Sequence, residues 1–477
     1  MKDARVSQGL ATLFATLALA GPAQAEAPQL VDSKPLSPRL TELTFTTPAL
    51  AAPTHVRILT PAGYDPGAAT RYPVLYLLHG SFDDYKSWTD KGDAERATAG
   101  LPLIVVMPDA GQVGNYVNWF NDGAFGAPEW ETYHVDQLIP WVDQHYRTIA
   151  TRSGRAVAGL SMGGGGAMKY AAAHPDLFVA ALSYSGGVDI NNQYVIPVTQ
   201  ASGVGDGSHT PGAIYGLRPT EEIRWRNNNP WDLAENLRGL KLWLVTGDGN
   251  AGGPDGGMTY DGVEADVHAQ SLAVHQKLDA LAIPHVWHDY GPGGHNWFYW
   301  TRDLKETLPQ LMAAFADPPA APTPITYTRA DPDYSVFGWT VHLERPAIEF
   351  SELRDAGAQG FTLRGSGTGT VTTPGFFRAG APVRATFTSG AGETVKTVTA
   401  DRDGRLTLTV PLGPGNPYQQ YTAQAIATHE KARVIDTPGS GSEGAGGAEV
   451  YAARVALAGE RPARRPKARH RARAHRR

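Results

Sequence analysis

The 477-residue chain contains no cysteine, an absence that removes thiol nucleophiles, thiolate metal sites and disulfide staples together. Stability must then come from cores large enough to do without covalent cross-links. Long apolar runs are missing too, since no segment approaches the ~18 apolar residues that a membrane-spanning helix requires. The stretch from Leu10 to Ala20 is too short for that role. With Lys2 and Arg5 before it and Ala23-Gln24-Ala25 after it, it reads as a secretory signal, with cleavage expected after Ala25. The protein is therefore expected to be secreted or associated with the cell envelope. Asp248, Asp255 and Asp261 share a glycine-rich loop but lack the spacing of a calcium loop, so neither a metal site nor a cofactor is expected.

Hydrophobic residues make up 42% of the chain, enough for two or three domains with cores of their own. Apolar runs at Tyr72–Leu78, Leu103–Met107, Arg155–Ala158, Ala180–Ser185 and Leu242–Thr246, with a short one at His285–Trp287, alternate with helical patterns such as Tyr133–Tyr146 and Ala265–Ala282. Leu40–Thr47 and His55–Leu59 alternate as strands before them. This order predicts an α/β sheet covered on both faces. The unit ends near Phe315, and the proline-rich segment 317–324 predicts a stiff linker. From Ile325 the texture changes to short alternating runs punctuated by glycine and proline, which predicts an all-β domain, an immunoglobulin-like sandwich. The expected boundaries are 1–25 for the signal, 26–316 for the α/β domain, 325–458 for the β domain, and 459–477 for a basic disordered tail. The formal charge of −5 conceals that tail, which from Arg461 to Arg477 carries Lys467, eight arginines and no acid.

The motif that carries chemistry is Gly159-Leu160-Ser161-Met162-Gly163, a G-x-S-x-G pentapeptide. A strand-like run precedes it, and the helix-forming Ala167–Ala173 follows it. The serine thus belongs on a strand-turn-helix, with glycines clearing space for a strained backbone. A serine hydroxyl needs a base within hydrogen-bond reach and an acid to orient that base. His295, on the glycine-rich stretch Tyr290–Trp297 after the last short strand, stands where such a base belongs. Two carboxylates compete for the third role: Asp248, just after the strand ending at Thr246, and Glu264, at the start of the following helix. Spacing alone leaves both open. Backbone amides of Met162 and Ser81 are candidates for an oxyanion hole, the latter in Leu78-His79-Gly80-Ser81. Trp119 and Trp297 are candidates for lining a substrate site.

The motifs Val74–Gly80, Asp83-Asp84-Tyr85, Trp88, Met107-Pro108, Gly111-Gln112, Trp119 and Trp130-Glu131-Thr132, together with the serine motif, His174-Pro175, Leu242-Trp243 and His295–Trp300, resemble the esterase and mycolyltransferase family of secreted α/β-hydrolases. The resemblance covers roughly Leu40 to Leu311. It implies an α/β-hydrolase fold, with Ser161 as nucleophile, His295 as base and Ser81 and Met162 as oxyanion donors. It also favours Glu264 as the acid, because Glu264-Ala265-Asp266-Val267 is similar to the glutamate segment of the mycolyltransferases. The expected activity is a serine esterase or acyltransferase acting through an acyl-enzyme on a small-molecule or lipid ester. The alternatives are mycolyltransferase-like transfer of a long acyl chain to a sugar and a non-catalytic envelope-binding protein on the same scaffold. The basic tail is expected to meet an anionic envelope surface rather than nucleic acid.

Overall fold

The computed structural model describes residues 26–192, 211–428 and 449–462. The expected signal at 1–25, the glycine/serine-rich stretch 439–447 and the tail from residue 463 onward lie outside the described residues. Among the described residues no helix is long and apolar enough to cross a membrane.

A nine-stranded sheet organises the first two-thirds of the chain. Its strands are β1 (Gln29–Pro35), β2 (Leu40–Thr46), β3 (Thr54–Leu59), β4 (Val74–Leu78), β5 (Ile104–Pro108), β6 (Arg155–Leu160), β7 (Ala180–Tyr184), β8 (Lys241–Thr246) and β9 (Val286–Asp289). Their spatial order is β1-β2-β3-β5-β4-β6-β7-β8-β9. The first three pair antiparallel, and every pair from β5 to β9 is parallel. This is an α/β-hydrolase sheet. The strands read as unbroken apolar runs because both faces are covered. In β4, Val74, Tyr76 and Leu78 enter one core, which holds Ala167, Met168 and Tyr170 of the helix Met162–Ala173. Leu75 and Leu77 enter the opposite core with Trp300, Leu304 and Leu308 of the helix Trp297–Ala316.

Because β5 lies on one side of β4 and β6 on the other, the chain reverses its winding there. Loops leaving the carboxyl ends of β4 and β6 diverge at that point and leave a crevice, the usual place for a site in an open α/β sheet. Gly80-Ser81 follows β4 and Ser161 follows β6.

Two elements differ from the sequence expectation. Strand β1 is exposed along its whole length, so it carries no apolar signal and is held by backbone pairing with β2 alone. The helix expected over Tyr133–Tyr146 opens with a π-helical stretch, Thr132–Leu138, before becoming α-helical at Ile139–His145. Pro140 lacks the amide that would bond back one turn, and its ring crowds the carbonyl before it, which loosens the winding.

Beyond Ile325 the chain forms two antiparallel sheets, one of six strands and one of four. Inward residues of both, including Val341, Leu353, Leu363, Val371, Val383, Val410 and Val455, share a single core. The two parts of the chain meet through specific contacts. Asn236 pairs with the backbone of Thr328 in both directions, at 2.9 Å each, and the Tyr327 hydroxyl donates to the Ala173 carbonyl at 2.7 Å. Ala330, Phe350 and Tyr421 bury against the first core.

Candidate active site

Ser161 sits between the end of β6 and the helix Met162–Ala173 with φ 52° and ψ −121°, a backbone state that a residue with a Cβ rarely adopts. Two glycines make this turn possible. A Cβ on Gly159 would lie 2.3 Å from the Gly163 carbonyl oxygen, and one on Gly163 would lie 2.5 Å from that of His79. The strained turn lifts the serine hydroxyl clear of both elements.

The structure brings His295 and Glu264 to this serine. His295 Nε2 is 2.8 Å from Ser161 Oγ, and its Nδ1 is 2.7 Å from Glu264 Oε2. With Nδ1–H donating to the carboxylate, Nε2 presents its lone pair to the hydroxyl. The edge of the imidazole packs against Trp300 at 4.9 Å, which limits rotation of the ring. Glu264 is fully buried, and its charge is met by donors from three directions. Its Oε1 accepts from Ser185 Oγ (2.8 Å), Thr246 Oγ1 (3.0 Å) and the Gly247 amide (2.7 Å). A buried carboxylate without such partners would cost several kcal/mol.

Asp248 stands one residue past Gly247 and turns away. Its Oδ1 accepts from the Asn250 amide at 2.8 Å, the geometry of a turn-forming aspartate. The strand end therefore contributes a backbone donor to Glu264 rather than the carboxylate that meets His295.

Asp261, which the sequence offered only as an acid of a glycine-rich loop, has a role in the site. Its Oδ1 caps the helix Gly262–Ala280 by accepting from the amides of Val263 (3.0 Å) and Glu264 (3.1 Å). Its Oδ2 accepts from the His295 amide at 2.7 Å. One carboxylate thus joins the start of the helix that carries Glu264 to the loop that carries His295. Burial raises its pKa and these donors lower it, and the donors win, holding it below the ordinary carboxylate value. The signal was present: Asp261-Gly262-Val263-Glu264 is an N-cap residue followed three positions later by glutamate.

His79 was also missed. The Ala110 amide donates to its Nε2 at 2.9 Å, which assigns the proton to Nδ1, and Nδ1 donates to the Gly80 carbonyl at 2.8 Å. In a trans peptide the carbonyl and the following N–H point in opposite directions, so the Ser81 amide faces away from His79. A Cβ on Gly80 would come within 3.3 Å of Ser161 Cβ, which fixes how closely this loop passes the serine. Met162 is the first residue of its helix, and its amide has no intrahelical acceptor.

A cavity of about 200 Å³ opens beside Ser161, lined by Ser81, Met162, Asn115, Lys169, Tyr215 and Asp266 among others. Lys169 is itself buried, donating to the Tyr116 carbonyl at 2.8 Å and paired with Glu131. Neither tryptophan expected at the substrate site lines this cavity. Trp119 is 3% exposed, packs with Ile214 and Trp225, and donates its indole N–H to the Gly114 carbonyl at 3.1 Å. Trp297 packs edge-on against Trp88 and Trp300, at 5.1 and 5.4 Å. Trp119 is consumed in packing its loop, and Trp297 is half-buried beside Trp88 and Trp300.

Residues 47–311, more than half of the chain, match the Esterase family. The chain belongs to that family. Among its relatives, Esterase Rv1288 of Mycobacterium tuberculosis is 37% identical over 273 residues, which cover 56% of this chain and 58% of that protein. The match thus spans little more than half of that relative's length. The diacylglycerol acyltransferase/mycolyltransferase Ag85B of Mycobacterium leprae is 30% identical over 251 residues, covering 50% of this chain and 75% of the relative. In both comparisons about half of this Esterase-family chain is aligned.

Proposed function

We propose that this protein is a secreted serine esterase or acyltransferase that works through an acyl-enzyme on Ser161. The observation that carries the reading is the relay from Ser161 Oγ to His295 at 2.8 Å and from His295 to Glu264 at 2.7 Å. In the first step Ser161 Oγ attacks the ester carbonyl while its proton passes to His295 Nε2. Glu264 stabilises the imidazolium and keeps its tautomer. The Ser81 and Met162 amides receive the developing oxyanion, an effect worth about 3 to 4 kcal/mol per donor in comparable sites. His295 then returns the proton to the leaving alcohol. A second nucleophile, water or an alcohol, repeats the sequence on the acyl-enzyme.

Relatives named as an esterase and as a diacylglycerol acyltransferase/mycolyltransferase support an ester as the substrate class. They also differ in the acceptor their names imply, so both outcomes of the second step belong to the proposal. We read residues 26–316 as the catalytic unit, 317–324 as a linker and 325–458 as an immunoglobulin-like accessory domain. In this reading the basic tail attaches the enzyme to an anionic envelope surface after the signal has been removed.

A chromogenic ester, assayed with and without a sugar acceptor, tests this. A burst of chromophore in the intact protein and its loss in Ser161→Ala are expected. Formation of an acceptor ester assigns transfer, and release of free acid alone assigns hydrolysis. Unchanged turnover in Ser161→Ala, or no turnover of any ester, would reject the catalytic reading in favour of a binding protein.

A further inference from the structure

A second cluster of ligating side chains lies at the far end of the helix that begins at Glu264. His275 and Asp279 are four residues apart on the helix Gly262–Ala280 and so share a face. The chain then turns through Ala282, at φ 51°, and returns along the helix into β9, which brings His285 to the same place. His275 Nδ1 is 2.7 Å from His285 Nε2. Asp279 Oδ2 is 3.6 Å from His275 Nε2, and Asp279 Oδ1 is 4.0 Å from His285 Nε2. One donor atom from each residue lies within 4.8 Å of the other two.

The proton positions leave one unfavourable contact that a bound cation would relieve. His285 Nδ1 is 2.8 Å from the Ile283 carbonyl and donates to it, so the lone pair of the neutral ring is on Nε2. His275 must then carry its proton on Nδ1 to satisfy that lone pair. Its own Nε2 lone pair consequently faces the Asp279 carboxylate, acceptor against acceptor. The rings are held in place without an ion. His275 stacks on Trp287 at 5.0 Å with a 3° angle between the planes, and the bond from His285 to a backbone carbonyl is the outer-shell contact that metal-bound histidines commonly make. The last turn of a helix also favours positive charge.

We propose that His275, Asp279 and His285 form a binding site for a divalent transition-metal ion of the zinc class. Two imidazoles and a carboxylate suit such an ion, with water as the fourth ligand. The side chain of Asp279 is 63% exposed, which leaves that position open to solvent. Ligands on a tetrahedral ion with bonds of about 2.0 Å stand about 3.3 Å apart. The ion would take His275 Nδ1 and His285 Nε2, which need only part by roughly half an ångström, while the displaced proton moves to His275 Nε2 and faces Asp279 Oδ2, and Asp279 Oδ1, 4.0 Å from His285 Nε2, supplies the third ligand. The ion would tie the end of the acid-bearing helix to the strand that leads to His295.

Zinc titrated into the chelator-treated full chain, followed by calorimetry and thermal unfolding, provides the test. One zinc per chain is expected, with micromolar or tighter affinity. The expected rise in Tm is about 3 to 5 °C at a hundredfold excess over Kd. Cobalt in place of zinc should give the intense visible bands of a four-coordinate ion. Asp279→Asn, an exposed change that leaves the fold intact, and His285→Gln should each weaken binding tenfold or more. His268→Gln on the same helix should not. Absence of stoichiometric zinc would overturn the proposal and leave a proton-sharing histidine pair. Equal binding in Asp279→Asn and His285→Gln would also overturn it, since the metal would then sit elsewhere, for example on His470 and His475.

Discussion

Asp261→Asn separates two jobs that one carboxylate performs. In the parent, Oδ1 serves two helix amides and Oδ2 serves the His295 amide. Asparagine keeps one oxygen, caps a helix about as well as aspartate, and turns its oxygen toward the end that offers two donors. Its NH2 group then opposes the His295 amide, donor against donor. Hydrogen bonds to a charged group contribute about 1.5 to 3 kcal/mol. Since Asp261 is partly open to solvent, water replaces part of this, and the loss of stability should be about 1 kcal/mol. The larger effect should fall on catalysis. The displaced amide belongs to the residue whose ring must meet Ser161 at 2.8 Å, and a misplacement of ~1 Å can cost about a hundredfold. We expect kcat for a chromogenic ester to fall about 10- to 100-fold with KM little changed, and labelling of Ser161 by a phosphonate to slow in parallel. Asp261→Ala should add the loss of the cap, about 1 kcal/mol in urea unfolding. Full activity in Asp261→Asn, or a stability loss equal to that of Asp261→Ala, would refute the assignment of separate roles to the two oxygens.

Glu264→Gln should keep its oxygen on Ser185, Thr246 and Gly247 and present NH2 to His295 Nδ1, forcing the wrong tautomer. A drop in kcat of about ten-thousandfold with an intact fold is expected, while Asp248→Asn should leave kcat within about twofold. His134 gives a pH signature. It is buried, accepting from the Tyr170 hydroxyl at 2.8 Å and donating to the Asp109 carbonyl at 2.9 Å, and burial pushes its pKa down to about 4. Its neutral form is favoured by folding, so its contribution is complete above the unfolded value near 6.5 and is lost as pH falls toward 4. Urea unfolding at pH 7 and pH 4.5 should show a loss on the order of 3 kcal/mol in the parent that is largely missing from His134→Gln. Equal slopes in the two proteins would contradict this.

The strands from β4 to β8 were legible because both faces of each are covered, and a run such as Val74–Leu78 has no polar face to hide it. Strand β1 was not, because an exposed edge strand carries no apolar pattern. Trp119 and Trp297 show the limit of reading aromatics from sequence. Trp119 lies on the loop after β5 and Trp297 follows His295, positions that suggested a substrate surface, yet Trp119 is buried and neither ring lines the cavity beside Ser161.

The amino-acid sequence alone determined the setting of Ser161, since a G-x-S-x-G turn between an apolar run and an alanine-rich helix encodes its geometry within a few adjacent residues. It also determined that His295 lies on a glycine-rich loop after the final parallel strand. Only the tertiary structure decided which carboxylate meets that histidine. Asp248 and Glu264 are both near the end of β8 in the chain, and the choice depends on where the helix Gly262–Ala280 starts and how it is anchored. That anchor is the contact between Asp261 and the backbone of a residue 34 positions away, and no local pattern records a contact made across such a distance.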